Sequence, residues 1–393
     1  MEKLIILLGG VMSKLLESIH IEGYRRLASL KLDMRDLTVM IGANGVGKTS
    51  FLEVFSLLAA SAKGQLLERI GGGLESMLTR NKAEYMAISL EMNNPGHAPL
   101  NYNLTLAPVR GSSYEISQEI LTQQNYPNVE IPQKYIDSHS LNVKYFNVQT
   151  NKLEAPNWEH NPFETSLSQV PKMYEQSETL RKQLASCTFY GALDVSSRSP
   201  VRLPQEMRPA KLPGANGEDL ISALYDLRET DPDRFEMVED TLAAAFPDFE
   251  KLSFPPVAAG RLSMTWKDKN FSKPIYVHEL SEGTLRFLWL ITLLQSQHLT
   301  TMTLIDEPEV SLHPELLQLL ADLMREASKR TQLIVATHSD RLIRFLEPKE
   351  VLICDVEDGL MTATWADTLN LEKWLADYSL DELWAMNLIG GQS

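Results

Sequence analysis

Apolar and polar residues alternate from Ser18 to Ile21 and from Ala28 to Met34 (ASLKLDM), and a continuous apolar run follows from Leu37 to Ile41. These segments read as strands of one small sheet, the last ending in a glycine-rich turn. The spacing becomes helical in FLEVFSLLAASA, which predicts a helix from Lys48 to about Ala62. Period two returns in LNYNLTL, where Leu100, Tyr102, Leu104 and Leu106 share one face, and again in Tyr114 to Ile120 and Leu141 to Val148. Polar connections between them suggest an antiparallel meander. Residues from about Glu164 to Leu184 and from Glu218 to Ala245 read as helices, the second group starting after the turn Gly214-Ala215-Asn216-Gly217. Met302 to Ile305 and Leu333 to Thr337 have the look of buried strands, and VLICD turns at Asp358-Gly359 into LMTATW. No internal repeat, low-complexity tract or sustained heptad pattern occurs, so a long coiled coil is not expected.

Composition changes this picture little. With 393 residues, 44% hydrophobic and 23% charged, the chain has room for two domains or for one domain with a large insertion. Its two cysteines, Cys187 and Cys354, lie far apart without metal-ligand spacing, which fits a reducing cytoplasm. The apolar run Leu4 to Met12 is too short to span a bilayer and lacks an A-x-A cleavage pattern. It reads as an extension before Met12 or a buried strand, and no other segment approaches membrane-spanning length. The net charge of −15 repels nucleic acid over the surface as a whole. A local basic stretch, RSPVRLPQEMRPAK, sets Arg198, Arg202, Arg208 and Lys211 against the single Glu206. It reads either as a phosphate contact or as a solvated proline-rich loop.

Three motifs carry chemistry. Residues 42 to 49, GANGVGKT, fit G-x-x-x-x-G-K-[ST] between an apolar strand and a helix. In such a loop Gly42, Gly45 and Gly47 let backbone N–H groups face phosphates, and Lys48 reaches the β/γ-phosphates. Thr49 would ligate Mg²⁺, and Asn44 and Ser50 complete the candidate nucleotide-binding set. Asp306-Glu307 ends an apolar strand, so the two carboxylates diverge: Asp306 to Mg²⁺, Glu307 to orient or deprotonate the attacking water. His338 ends the next apolar run, where it can meet a γ-phosphate or that water.

In order, GANGVGKT, LSEGT (280 to 284), TLIDEP (303 to 308) and the His338 segment resemble the Walker A, signature, Walker B and H-loop motifs of ABC-class ATPases. EGYRRL (22 to 27), IDEPEVSLHPE (305 to 315) and VATHS (335 to 339) resemble the RecF/SMC/OLD-like branch, and the ending LADYSLDELWAMNLIGG resembles a short bacterial group within it. Several such ATPases serve in anti-phage defence. The likeness is good over roughly the first 60 and last 115 residues and poor between. It implies an α/β fold: a P-loop ABC-type ATPase head with an antiparallel β-subdomain and a mostly helical insertion. The division expected is 1–155 and 275–393 for the two parts of the head and 156–274 for the insertion. The resemblance also implies that Ser281 and Gly283 touch the γ-phosphate of ATP held by a second copy, making a homodimer or higher oligomer. Two departures stand out: Glu282 replaces a glycine of the transporter signature, and no Q-loop is obvious, with Gln118 and Gln123 as candidates.

Three functions follow: a regulatory ATPase that holds and releases a separate effector such as a nuclease or toxin, a RecF-like DNA-binding clamp in repair, or an enzyme with its own nuclease module. The third is weakened because Asp355-Val356-Glu357-Asp358 is the one acidic cluster after His338, and it reads as a strand end and turn. Leu371 to Tyr378 reads as a helix that packs on the core or docks a partner.

Overall fold

In a computed structural model, the structure describes residues 14–391 apart from 72, 81, 110–112, 125–130, 372–373 and 375–376. The Leu4–Met12 run lies outside the described residues, as do several positions of the Leu371–Tyr378 segment.

Strands β1 (Leu16–Tyr24) and β2 (Leu27–Asp33) form an antiparallel hairpin, whereas β3 (Leu37–Ile41) leaves for a different sheet. The expectation of one small sheet is thus corrected. Alternation left β1 and β2 with one polar face, while all five residues of β3 are buried, as a strand covered on both faces must be. After the helix α1 (Lys48–Lys63) and the short α2 (Leu66–Ile70) come β4 (Met86–Met92), β5 (Leu100–Val109), β6 (Ser113–Gln123), β7 (Gln133–His139), β8 (Tyr145–Asn147) and β9 (Lys152–Glu154). They complete an antiparallel sheet in the order β2-β1-β4-β5-β6-β7-β8-β9. Leu100, Tyr102, Leu104 and Leu106 do face its core. The expected strand Leu141–Val148 shrinks to β8, because Leu141 and Val148 are exposed and the chain around Leu141 is a turn.

The two long helices expected next are each broken at a proline, which cannot donate to the preceding turn. Pro171 separates α3 (Ser166–Gln169) from α4 (Glu175–Ala185), and Asp231 caps α6 (Pro232–Ala245) where α5 (Leu220–Thr230) stops. Between them, β10 (Thr188–Tyr190) is an edge strand of the central sheet. Helix exceeds strand in 156–274, but that stretch also supplies β10 and most of two small three-stranded sheets, joined by long irregular connections. These comprise β11 (Gln205–Glu206), β12 (Phe249–Ser253), β13 (Pro256–Val257), β14 (Arg261–Leu262), β15 (Thr265–Asp268) and β16 (Ile275–Tyr276).

The C-terminal part runs through α7 (Glu282–Leu294), β17 (Met302–Asp306), α8 (Leu317–Ala327), β18 (Gln332–Thr337), α9 (Asp340–Ile343), β19 (Val351–Glu357) and β20 (Leu360–Trp365). The central sheet has the order β10-β17-β18-β3-β19-β20, parallel except for β20. Its alternate residues enter two cores. Met40, Leu304, Ile334 and Leu352 face α1 and, beyond it, the antiparallel sheet. Val39, Ile305, Val335 and Ile353 face the α5–α8 layer. Helix α1 is consequently buried almost all round, with Phe51 and Phe55 in edge contact at 5.4 Å. Buried carboxylates stitch this sandwich. Glu119 of β6 accepts from the N–H groups of Ser166 and Leu167, and Glu164 from those of Leu66 and Leu67, each capping a helix start.

Candidate functional site

Register brings the site together. Asp306 pairs with Ala336, and Thr337 with Ile41, so the loops after β17, β18 and β3 leave the same edge of the sheet. Gly42 follows β3, and the loop closes at Gly47, whose φ of 124° is one that side chains avoid. A Cβ there would also meet the Met361 sulfur at 3.0 Å. Helix α1 begins at the next residue, so the N–H groups of Lys48, Thr49 and Ser50 have no partner inside the helix and face the loop. Asn44 and Gly45 are exposed at the loop tip.

Lys48 is 4% exposed. Its ammonium donates to the carbonyls of Gly42 (2.6 Å) and Ala43 (3.0 Å) and lies 3.1 Å from His338 Nδ1. Burial pulls its pKa below the usual lysine value, opposed by the neighbouring Cys354, Asp306, Glu307 and Glu309. Across the ring, His338 Nε2 is 3.2 Å from a Glu307 carboxylate oxygen. His338 Nδ1 also lies 3.1 Å from Gly42 O, so Nδ1 either accepts from Lys48 or, when protonated, donates to Gly42 O, while an Nε2–H donates to Glu307. Thr49 Oγ1 donates to Asp306 Oδ2 at 3.0 Å. Burial raises the Asp306 pKa, and the Thr49 hydrogen bond works against that shift. Glu307 has a φ of 51°, an uncommon conformation for a residue with a side chain, and its N–H donates to Ala336 O at 2.8 Å. The backbone thus turns Glu307 toward His338 while Asp306 faces Thr49.

These residues suit a nucleotide with a divalent cation. The Thr49 hydroxyl and Asp306 carboxylate are hard oxygen donors already side by side, as Mg²⁺ prefers. Among the described residues no group of three or more His, Cys, Asp or Glu converges on a metal, so further ligands would be phosphate or water. The cleft at the loop measures about 590 Å³. Beyond Gly45, Gly47, Lys48, Thr49, Ser50 and His338, its wall is cationic: Arg25, Arg26, Arg80 and Lys82, with Thr79. The Asp358-Gly359 turn closes the wall, its carbonyls accepting from Lys82 and Arg26. Sequence reasoning missed this wall. Arg25 and Arg26 were visible only as part of EGYRRL, and nothing in TRNK (79 to 82) signals proximity to a loop 40 residues earlier.

The signature segment stands apart. Ser281 is exposed and caps α7, its Oγ accepting from Thr284 N at 3.1 Å. It is not among the residues lining the cleft of its own chain. Gly283 packs against the backbone after the Asp306-Glu307 pair: a Cβ would stand 2.5 Å from the Ser311 carbonyl oxygen. Two expectations need correction. Gln118 and Gln123 are on β6 in the antiparallel sheet, where Gln123 is buried and donates to Ala98 O, so neither enters the cleft. The segment beside Asp306 and Glu307 is Gly191–Leu193 after β10, and it holds no glutamine. In the basic stretch Arg208 pairs with Asp219 and Lys211 with Asp226, both cations staying half exposed, while Arg202 donates to backbone carbonyls. Arg198 is exposed.

A phosphate loop on an inner strand of a parallel sheet, facing a carboxylate pair and a histidine, defines a P-loop ATPase head. The family described as "AAA domain, putative AbiEii toxin, Type IV TA system" matches residues 37–344, and the chain belongs to it. The Retron Ec83 probable ATPase of Escherichia coli is 22% identical over 392 residues, which span 85% of this chain and 70% of that one. The fold is also that of SMC heads. An SmcHead bound to the C-winged helix domain of ScpA matches with a TM-score of 0.55 at 15% identity, covering 92% of this chain and 99% of that one. An Smc head domain with an extended coiled coil, bound to the C-terminal domain of ScpA derived from Pyrococcus furiosus, gives 0.53 at 13% identity, covering 92% and 98%. The chain is an ATP hydrolase with the fold of an SMC head. Among the described residues no helix is long and apolar enough to cross a membrane.

Proposed function

We propose that the chain is a nucleotide-driven switch that binds Mg-ATP, pairs with a second copy through composite sites, and holds or releases a separate effector. The observation that carries this reading is the division of the site. Lys48 with His338, His338 with Glu307, and Thr49 with Asp306 are in direct contact within one chain, whereas Ser281 is exposed at the start of α7 with its hydroxyl on Thr284. The Ser281 hydroxyl caps its own helix through Thr284, but it stays exposed at a helix N-terminus, an end that favours phosphate, and a second copy's ATP provides one. At the phosphate loop, Lys48 and the first-turn N–H groups of α1 bind the phosphates, and Glu307, held by His338, orients the attacking water and takes its proton. Thr49 and Asp306 would hold the Mg²⁺ ion, which neutralises charge on the phosphate oxygens. Loss of the terminal phosphate removes what both chains grip, so the pair is stable in one nucleotide state and weak in the other.

A role in anti-phage defence, with a nuclease or toxin as effector, rests on the family description and on the retron ATPase relative. A DNA clamp is the less favoured reading, since Arg202, Arg208 and Lys211 are already engaged and the net charge is −15. The test is the molar mass of Glu307→Gln by light scattering with and without Mg-ATP. A twofold rise with ATP, absent when Ser281→Arg is added, is expected. A mass indifferent to ATP would overturn the composite site.

A further inference from the structure

Arg202 came into view as one cation of a basic stretch, yet its guanidinium is turned inward. Nε donates to Val195 O at 2.6 Å, and one terminal nitrogen donates to both His278 O (3.0 Å) and Leu280 O (2.8 Å). His278 and Leu280 flank Glu279 in the single turn that immediately precedes Ser281. That turn is mostly exposed, with Tyr276, His278, Glu279, Ser281 and Glu282 all at the surface. One buttressing side chain thus ties down two carbonyls of a strip that must present Ser281 at a fixed place.

The other end of the tie is equally specific. The segment bearing Arg202 starts where β10 ends, and Tyr190 pairs with Ile305, so Gly191 stands beside Asp306. Gly191, Ala192 and Leu193 line a small cleft with Asp306, Glu307 and Arg286. From there to Arg202 the segment is anchored by Leu193, Val195 and Val201, all buried, and by the Ser199 hydroxyl on Ser196 O. It is therefore a short strut of fixed shape, with one end at the catalytic carboxylates and the other at the signature.

We propose that Arg202 is a positioning residue that couples a head's own Asp306–Glu307 edge to its own signature. This rests on the composite-site reading: because Ser281 serves the partner's nucleotide, a displacement at one carboxylate pair passes along 191–202 to the other site. A lysine cannot replace the fork. Its single ammonium lacks the planar set of donors that reaches Val195, His278 and Leu280 together.

Three measurements test this on the full-length chain. In Arg202→Ala without nucleotide, amide hydrogen exchange across 277–285 should quicken, while the later turns of α7 keep their protection. In the otherwise wild-type chain, kcat should fall between about tenfold and a hundredfold with KM within about twofold, the pattern of a misplaced positioning group rather than lost binding. In the Glu307→Gln background, the same substitution should weaken ATP-driven association while single-chain binding of Mg-ATP is kept, and Arg202→Lys should restore it only partly. Unchanged exchange across 277–285, or kcat at the wild-type value, would overturn the proposal. If Glu307→Gln itself fails to associate with ATP, the composite site falls, and exchange and kcat still decide the role of Arg202.

Discussion

Glu309, two residues beyond Glu307, underlies the site although IDEPEVSLHPE by itself gave it no role. Its Oε1 accepts from Thr337 Oγ1 (2.6 Å) and from His338 N (3.2 Å), fixing the backbone that carries the histidine. Its Oε2 is buried with no hydrogen-bond partner among the described residues, and burial raises the pKa above the usual 4.5. A raised value means the folded chain binds this proton more tightly than the unfolded chain. The stability from that preference is complete below about pH 4.5 and is lost as pH climbs through the folded value. Glu309→Gln keeps an acceptor and cannot ionise, so its melting temperature should gain on wild type by on the order of 2 °C between pH 5 and pH 8. Differential scanning fluorimetry across that range decides it: parallel curves would mean Glu309 does not titrate as its burial demands. Asp306, Glu307 and His338 were legible in the sequence because they follow apolar strand runs, and Lys48 because it closes the glycine-rich loop GANGVGKT. Glu309, Arg25 and Lys82 were not, because their roles arise from what folding sets beside them.

At the scale of elements, α7 shows what pattern reading captures and what it omits. The apolar run TLRFLWLITLL reads as a helix, and LSEGT just before it supplies the serine that caps it. The tight seat of Gly283 on the Ser311 carbonyl was invisible, since backbone approach leaves no trace in hydropathy. Both sides of that contact are backbone, and Ser311 itself sits at a φ of 64°. Gly283→Ala should cost about 1–3 kcal/mol, the usual scale of overpacking, and tilt Ser281 away from its presented position. Thermal melts should show the loss, and the Glu307→Gln background should show weaker association with Mg-ATP. A variant that matches its parent in both would mean the loop after Pro308 yields easily. The helices over 164–245 were legible as helices but not as broken ones, because the capping at Asp231 became visible only with its contacts. β7 escaped notice for a similar reason: QKYIDSH buries Tyr135 and Ile136 within an otherwise polar strand.

For the whole molecule, α1 lies between two sheets and carries the phosphate-binding end at its start. A ligand gripped there reports on the entire sandwich, so Mg-ATP at about 100 times its Kd should stabilise the fold by ~2.7 kcal/mol. The shift should vanish in Lys48→Ala; a shift of wild-type size in that variant would mean nucleotide binds elsewhere. Periodicity revealed strands but not their partners, which is why β1, β2 and β3 read as one sheet. Membership depends on segments more than 200 residues away, since β3 lies between β18 and β19. That placement also sets a timetable on the ribosome. The strand that carries the phosphate loop is made early, but its two neighbours are residues 332–337 and 351–357. At roughly 5–20 residues per second, GANGVGKT waits on the order of 15–60 s for the strands that complete its sheet. A nascent chain stalled before β18 would offer no finished nucleotide pocket, so a half-made protein has nowhere to hold ATP.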